Sequence, residues 1–224
     1  MELLIADDVR KTYPELRLAF VEIDDMKIGV GSDKVTNLHK EEAEKLRQTL
    51  SLDNVKDRED FRAYRDFFWK IGVDPTKIRP AAEALVRRLL KDSSLPRIND
   101  FVDAYNIASA NIGIPIAAFD RDELEEDIIL RLSRNGEEFL GIGMATAKIL
   151  EEGIPVMSSG DLLIAVYPYR DAETSKISVK TVNAMLISCG VPGIKTEVLI
   201  EAVRKSRDNV MSICGGHTSK IRTI

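Results

Sequence analysis

Apolar residues recur at helical spacing in several separate segments of the chain. Their periodicity predicts helices over residues 40–50, 60–71, 80–91, 98–110 and 196–213. Ser178 and Gly190 bracket a further predicted helix over residues 179–188, because serine favours a helix start and glycine a helix end. Residues 16–23 (LRLAFVEI) alternate imperfectly between apolar and polar, which predicts a half-buried strand.

The stretch between residues 111 and 177 follows a different pattern. Short apolar runs such as IPIAAFD, IPVM and DLLIAVYPY are separated by glycines, which indicates strands joined by turns. The last residues, 214–224, show no periodicity. Helices on either side of a strand-rich middle favour an α+β fold over a regular alternation of strands and helices.

The composition is that of an ordinary globular chain. Its 224 residues are 44% hydrophobic and 31% charged, and no run approaches the ~18 apolar residues of a membrane span. The first residues lack the basic and apolar regions of a signal peptide, and Cys189 and Cys214 form no Cys-x-x-Cys pair. We therefore expect a cytoplasmic protein, not bound to a membrane, with two reduced and buried cysteines.

The charge balance limits the possible nucleic-acid partners. A net charge of -5 argues against a general nucleic-acid binder, and we expect no DNA partner. One segment is nevertheless locally basic, and its cations are Lys77, Arg79, Arg87, Arg88 and Lys91. Docking of a specific RNA on this segment therefore stays open.

Familiar catalytic signatures are missing. The chain has no Gly-x-x-x-x-Gly-Lys-Ser/Thr loop, no Gly-x-Ser-x-Gly elbow and no His-Glu-x-x-His motif. Its two histidines, His39 and His217, disfavour Ser–His or Cys–His catalysis, and Cys214 with His217 is too small a ligand set for structural zinc. We expect no metal site and no cofactor. A hydrolase of this composition would position water with carboxylates, hydroxyls and amides.

Polar residues form lines on two of the predicted helices. Asn99, Asp103 and Asn106 share one face of the helix over residues 98–110, with Ser109 adjacent. On the preceding helix the corresponding set is Arg79, Glu83 and Arg87. Both lines suit a binding pocket, but hydrogen bonds between helices and solvated ion pairs would produce the same pattern.

The same residues belong to a longer series of features that resembles a known family. YRDFFWKIGVDPTKIRPAAEALVRRLL (64–90) and LPRINDFVDAYNIASANIGIPIAAFD (95–120) resemble the B3/B4 module of the phenylalanyl-tRNA synthetase beta subunit. The shared features are a Gly-x-Asp-Pro turn, an Arg-Pro-Ala-Ala-Glu helix start and a Val-Asp-x-x-Asn-x-x-Ser helix. RNGEEFLGI and DLLIAVYPYRDAETSKISVKT continue the resemblance, which spans about residues 60–212.

The resemblance implies a layered β/β/α sandwich within the α+β class. It also implies a B3/B4-like domain over residues 59–213, with a strand–helix extension (1–58) packed on it and a tail (214–224). In the synthetase this module hydrolyses tyrosine wrongly esterified to the phenylalanine tRNA. We therefore expect a free-standing editing domain that deacylates mischarged aminoacyl-tRNA in trans and has no synthetase activity. The alternatives are a non-catalytic module that binds tRNA, an amino acid or a nucleotide ligand, and a hydrolase or ligase accessory whose substrate no longer involves tRNA.

The resemblance also suggests roles for individual residues. As catalytic residues we expect Asp103, Asn106, Ser109 and Thr174. As residues that bind the amino-acid moiety or the terminal nucleotide we expect Arg79, Glu83, Glu137, Glu138, Arg170 and Asp171. As RNA-binding residues we expect Arg87, Arg88 and Lys91. Asp171 has a second interpretation from the sequence, because an aspartate after a strand also forms turns.

Overall fold

The structure is a computed structural model that describes residues 1–92 and 95–224. The helices in this part are α1 (Asp7–Thr12), α2 (Asp33–Thr49), α3 (Glu59–Lys70), α4 (Ala81–Asp92), α5 (Asp100–Ile112) and α6 (Thr196–Cys214). The strands are β1 (Leu3–Ile5), β2 (Leu18–Asp24), β3 (Ile116–Asp120), β4 (Ile128–Leu132), β5 (Glu138–Phe139), β6 (Lys148–Ile149), β7 (Pro155–Ser159), β8 (Leu162–Val166), β9 (Arg170–Asp171), β10 (Ala184–Cys189), β11 (His217–Thr218) and β12 (Arg222–Thr223).

Two five-stranded sheets and one small ribbon hold these strands together. The first sheet has the order β1-β4-β7-β8-β9, and all its pairings are antiparallel except β1 with β4. The second sheet has the order β11-β2-β10-β3, and β12 also pairs with β2. β5 and β6 form a separate antiparallel ribbon.

The two large sheets share one core. Leu130 and Met157 of the first sheet belong to the same buried cluster as Val21, Phe119 and Leu186 of the second. α5 and α6 pack against each other, and α6 also packs on β2 and β10 of the second sheet. The layers therefore run from sheet to sheet to helices, and the predicted β/β/α sandwich is confirmed.

α5 has the start and stop signals expected from its sequence. The Asn99 side chain accepts a hydrogen bond from the backbone N–H of Val102 at 2.9 Å. Gly113 ends the helix with a φ of 90°, a left-handed conformation that glycine adopts without steric cost. The predicted helices over residues 60–71, 80–91, 98–110 and 196–213 are confirmed as α3 to α6. The predicted helix over residues 40–50 is the second half of α2, which begins at Asp33 after the N-cap Ser32.

The predicted helix over residues 179–188 is wrong. Residues 184–189 form β10 in the middle of the second sheet, and Ser178 lies in the preceding turn. All six residues of β10 are buried, because the first sheet covers one face and α6 the other. The strand therefore lacks the alternation of half-buried strands, and a short run of this kind cannot be told from a buried helix by period.

The last residues, which show no periodicity in the sequence, form two short strands. β11 and β12 both pair antiparallel with β2. Ile224 and Leu18 exchange backbone hydrogen bonds of 2.9 and 3.0 Å. Strands of two residues are too short to show a period, which is why the sequence pattern gave no sign of them.

Both cysteines are buried and free, as the sequence predicted. Burial strongly raises the pKa of the Cys189 thiol, so this group stays protonated at neutral pH. Within residues 1–92 and 95–224, no helix is long and apolar enough to cross a membrane.

Candidate functional site

A cavity of about 170 Å³ lies where the edges of the two sheets meet α5. The second sheet and the loop before it contribute Pro115, Ile116, Ala117 and Cys189. The first sheet and its last turn contribute Met157, Ala165, Val166, Tyr167, Pro168, Tyr169, Arg170 and Asp171. Tyr105 and Asn106 of α5 and Ala81 at the start of α4 complete the lining. An apolar cavity with a few converging polar groups is typical of a small-ligand site.

Strand register explains how Asp171 reaches this cavity. Leu130 stands opposite Met157, Met157 opposite Ala165, and Ala165 opposite Asp171, so all four side chains lie on one face of the first sheet. That face packs on the second sheet, and Leu130, Met157 and Ala165 are buried in the shared core. Asp171 is the half-buried end of this row, at the edge strand β9.

The carboxyl group of Asp171 has unusual acid–base chemistry. Burial raises its pKa from the ordinary value of 3.8 to about 7, and a hydrogen bond from the backbone of Ala118 opposes the rise. Burial, followed by the charges of Asp171 and Asp103, strongly raises the pKa of the Tyr105 phenol. At neutral pH the cavity thus holds a carboxyl group that can take up or release a proton, beside a phenol that stays protonated.

Two further polar groups reach the cavity. Asn106 is half-buried, and no hydrogen bond joins its amide to the rest of the described chain. Arg170 donates a hydrogen bond to the Ile142 carbonyl at 2.9 Å, and its guanidinium lies 5.4 Å from the ring centre of Tyr169. A side chain at Gly141 would collide with Arg170, so glycine at this position lets the arginine lie against the backbone.

Two buried tyrosines hold one wall of the cavity in place. The Tyr64 hydroxyl donates to the Cys189 carbonyl at 2.6 Å, and the Tyr167 hydroxyl donates to the Gly190 carbonyl. Burial raises the pKa of both phenols far above 10.0, which keeps them protonated as donors. These two hydrogen bonds fix the backbone of Cys189 and Gly190, and Cys189 is part of the cavity wall.

Asp103, expected to be catalytic, lies outside this cavity. Its carboxylate accepts hydrogen bonds from Arg97 Nε and from the backbone N–H of Ile98, both at 2.9 Å. Burial raises the pKa of Asp103, and the two donors oppose the rise. Arg97 also donates to the Thr36 hydroxyl at 3.1 Å. Asp103 therefore connects the start of α5 to α2 through Arg97. This is the alternative interpretation of the polar line, in which its residues form hydrogen bonds between helices.

Glu83 also has a structural environment. It is fully buried, and it accepts hydrogen bonds of 2.7 Å from Arg65 Nε, Arg65 Nη2 and Arg87 Nε. Burial alone would raise the pKa of Glu83, but the two arginines together lower it. Arg87, expected to bind RNA, is thus occupied on one side by Glu83. Arg79, Arg88 and Lys91 are exposed on the same segment.

The remaining expected residues are dispersed. Ser109 is buried, and its hydroxyl donates to the Ile114 carbonyl at 2.7 Å. Glu137 is paired with Arg131 at 2.6 Å, which lowers the pKa of Glu137. Glu138 is exposed on β5, and Thr174 is exposed in the turn after β9. Of the expected catalytic and substrate-binding residues, the cavity thus brings together Asn106, Arg170 and Asp171.

Sequence reasoning missed several lining residues. Tyr105 follows the helical period of the core and gave no separate signal, although it lies beside Asn106 in the sequence. Tyr167 and Tyr169 lie in an apolar run that predicted only a strand, and Cys189 directly follows the segment 179–188 that was predicted to be a helix. A larger depression of about 600 Å³ beside α3 is open to solvent and lined by charges of both signs. Its charged groups do not form a set suited to one ligand or one reaction.

The cavity suits acid–base chemistry on a small polar ester or amide. It offers a carboxyl group near neutrality, a neutral phenol as donor and a free amide, within apolar walls. Among the described residues, no group of three or more His, Cys, Asp or Glu is placed to hold a metal ion.

Comparison with known proteins relates this architecture to one family. A model of the B3/4 domain matches residues 63–208. The chain is similar to the phenylalanine–tRNA ligase beta subunit of Protochlamydia amoebophila (strain UWE25), at 28% identity over 120 residues, which is 53% of this chain and 14% of that protein. The beta subunit of Streptococcus mutans serotype c is 27% identical over 115 residues, 51% of this chain and 14% of that protein.

The fold likeness extends over nearly the whole chain. A crystal structure of an N-terminal fragment of the phenylalanyl-tRNA synthetase beta subunit from Pyrococcus horikoshii superposes with a TM-score of 0.50 at 13% identity. The match covers 97% of this chain and 50% of that chain, and it confirms the predicted fold type. The chain spans about one seventh of the curated relatives it matches. Because the family model covers more than half of the sequence, the chain belongs to the B3/4 domain family.

Proposed function

We propose that this protein hydrolyses the ester bond of mischarged aminoacyl-tRNA in trans, without synthetase activity. The observation that carries the proposal is Asp171, a carboxyl group with a pKa of about 7 in an apolar cavity. A general base is most effective when its pKa lies near the working pH. The kinship with two tRNA ligase beta subunits supports an aminoacyl-tRNA as the substrate.

The size of the cavity fits the amino-acid part of such a substrate. An apolar cavity of about 150 Å³ binds benzene, and the cavity here measures about 170 Å³. It can therefore take one side chain of aromatic size with its α-carbon. A nucleoside is too large to enter with it, so the ester would lie near the mouth, where Asp171 ends the row of side chains.

The chemistry follows from the groups around the ester. Deprotonated Asp171 takes a proton from water, whose oxygen attacks the ester carbonyl carbon. The ester C–O bond then breaks, and protonated Asp171 passes its proton to the leaving ribose oxygen, which restores the carboxylate. Tyr105, kept protonated by burial, can donate to the oxygen that becomes negative. The free amide of Asn106 can orient the water or the substrate ammonium group.

Exposed cations on α4 and just before it fit an RNA partner. Ala81 lines the cavity at the first residue of α4, and Arg79 lies two residues before it, on the other side of Pro80. Arg88 and Lys91 are exposed farther along the same helix. These three cations would contact phosphates, for which arginine and lysine are the usual partners.

A deacylation assay with a panel of mischarged tRNAs tests the proposal. Asp171→Asn should lower kcat/KM at least about 100-fold, because it removes the base and keeps the shape of the side chain. The wild-type rate should rise with pH through an apparent pKa near 7. Asp161→Asn, in the exposed turn between β7 and β8, is the matched control and should keep full activity.

Three results would count against the proposal. Full activity of Asp171→Asn would show that Asp171 is not the general base. A rate that does not change between pH 5.5 and 8.5 would show that no group with a pKa near 7 controls the reaction. Tight binding of aminoacyl-tRNA without turnover on any member of the panel would make the chain a non-catalytic binding module instead.

A further inference from the structure

We infer that Ile142 forms an apolar platform at the cavity mouth that contacts the terminal nucleoside of the substrate. The inference rests on the proposed function in so far as the cavity takes the aminoacyl group. It adds a residue, and a part of the substrate, that the proposed chemistry does not use.

Backbone pairing places Ile142 beside Asp171. Gly141 and Ala172 form an antiparallel bridge, and the Ile142 N–H donates to the Asp171 carbonyl at 2.9 Å. Ile142 therefore stands directly opposite Asp171, and their side chains lie on the same face. The row Leu130, Met157, Ala165 and Asp171 thus continues by one residue beyond the sheet.

Burial changes along this row from core to solvent. Leu130 and Met157 are fully buried, Asp171 is half-buried and Ile142 is 42% exposed. The row therefore passes from the core to solvent, with Asp171 in the cavity wall and Ile142 as its exposed end just outside the lining. Leu140, opposite Glu173 in the same bridge, is 38% exposed and enlarges the apolar surface on this side.

The covalent structure of the substrate then determines what meets Ile142. An aminoacyl group in the cavity is joined by its ester to a ribose, and the ribose carries a base that the cavity cannot hold. The nucleoside must therefore lie outside, and Ile142 is the exposed apolar residue directly opposite Asp171 on the same face. A base or ribose face packs well on an aliphatic side chain, and Ile142 is 42% exposed and so accessible to one.

The platform is also held firmly. Arg170 donates to the Ile142 carbonyl at 2.9 Å, and the Glu173 N–H donates to the Leu140 carbonyl at 3.0 Å. The backbone of residues 140–142 is thus fixed to the strand that carries Asp171. A contact made by Ile142 would therefore be transmitted to the position of the ester relative to the base.

The test separates nucleoside binding from aminoacyl binding with two non-hydrolysable probes. One probe is 3′-deoxy-3′-(phenylalanylamino)adenosine, and the other is phenylalaninamide, which lacks the nucleoside. Ile142→Ser should weaken binding of the adenosine probe about fivefold, the loss expected for part of an apolar side-chain contact, and leave phenylalaninamide binding unchanged. Ile142→Phe should strengthen binding of the adenosine probe at least about fivefold through stacking.

Ile149→Ser is the matched control, because Ile149 is 70% exposed on the same hairpin and lies outside the cavity. It should change neither affinity. Equal loss of both probes in Ile142→Ser, or unchanged binding of the adenosine probe in both Ile142 variants, would overturn the platform. Binding does not depend on turnover, so the two proposals can be tested separately. If the protein binds the adenosine probe through Ile142 but hydrolyses no ester, the platform is supported and the proposed hydrolysis is wrong. If the wild type binds neither probe, both proposals fail.

Discussion

The raised pKa of Asp171 predicts that the residue destabilises the folded protein at neutral pH. A folded-state pKa above the unfolded value means that the native state binds the proton more tightly than the unfolded state. The stabilising effect of that proton is complete below pH 3.8 and is lost as the pH rises through about 7. Asp171→Asn, which mimics the neutral acid, should remove this loss and be more stable than the wild type at pH 8.

The size of the effect follows from the same shift. A tenfold change in proton affinity is worth about 1.4 kcal/mol, so a rise from 3.8 to about 7 corresponds to about 4 kcal/mol at most. Asp171 is half-buried, and solvent at the cavity mouth reduces this figure. We expect a gain of about 2 to 4 kcal/mol in the free energy of unfolding at pH 8, and almost none at pH 3.5.

Urea unfolding from pH 3.5 to 8.5, followed by circular dichroism, measures both effects. The difference between Asp171→Asn and the wild type should grow steadily from pH 4 to pH 7 and then level off. Asp161→Asn, an exposed control, should follow the wild type throughout. If Asp171→Asn follows the wild type at every pH, the carboxyl group has an ordinary pKa, and the argument for a general base loses its foundation.

Two other predictions concern positions away from the cavity. Burial, with the charge of Arg97 next, lowers the pKa of His39 from 6.5 to about 4, so wild-type stability should fall by up to about 3 kcal/mol as pH drops through this window. In the same urea series, the free energy of unfolding of His39→Leu should not fall in this way. If it falls as much as that of the wild type below pH 6.5, the prediction is wrong. Arg88→Glu with Lys91→Glu should weaken tRNA binding at least about tenfold at low salt and flatten its salt dependence, measured by fluorescence titration. Charge reversal at the exposed Lys40 and Lys56 is the control, and equal loss in both pairs would argue for a general charge effect.

The helices could be predicted from the sequence because their signals are local. α5 shows this most clearly, since Asn99 and Gly113 mark its ends and lie within a few residues of the groups they satisfy. β10 was mistaken for a helix because its burial depends on partners far away, the first sheet and α6. Local pattern carries no information about such partners.

The site was harder to predict than the fold for the same reason. Asn106 and Asp171 were expected as site residues, yet their meeting depends on α5 packing beside the edge of the first sheet. Polar spacing also grouped Asp103 with Asn106, although Asp103 is bound to Arg97. The pattern along a helix shows which residues share a face. Whether those residues line a pocket or form hydrogen bonds between elements depends on which element packs against that face.

The pairing of β11 and β12 with β2 has a consequence for synthesis on the ribosome. β2 is made well before residues 217–223, and only those residues complete one of its edges. Until those residues emerge, the strand LAFVEID presents unpaired N–H and C=O groups along that edge. A nascent chain in this state is open to pairing with other chains, so slow translation between β2 and residues 217–223 would increase aggregation.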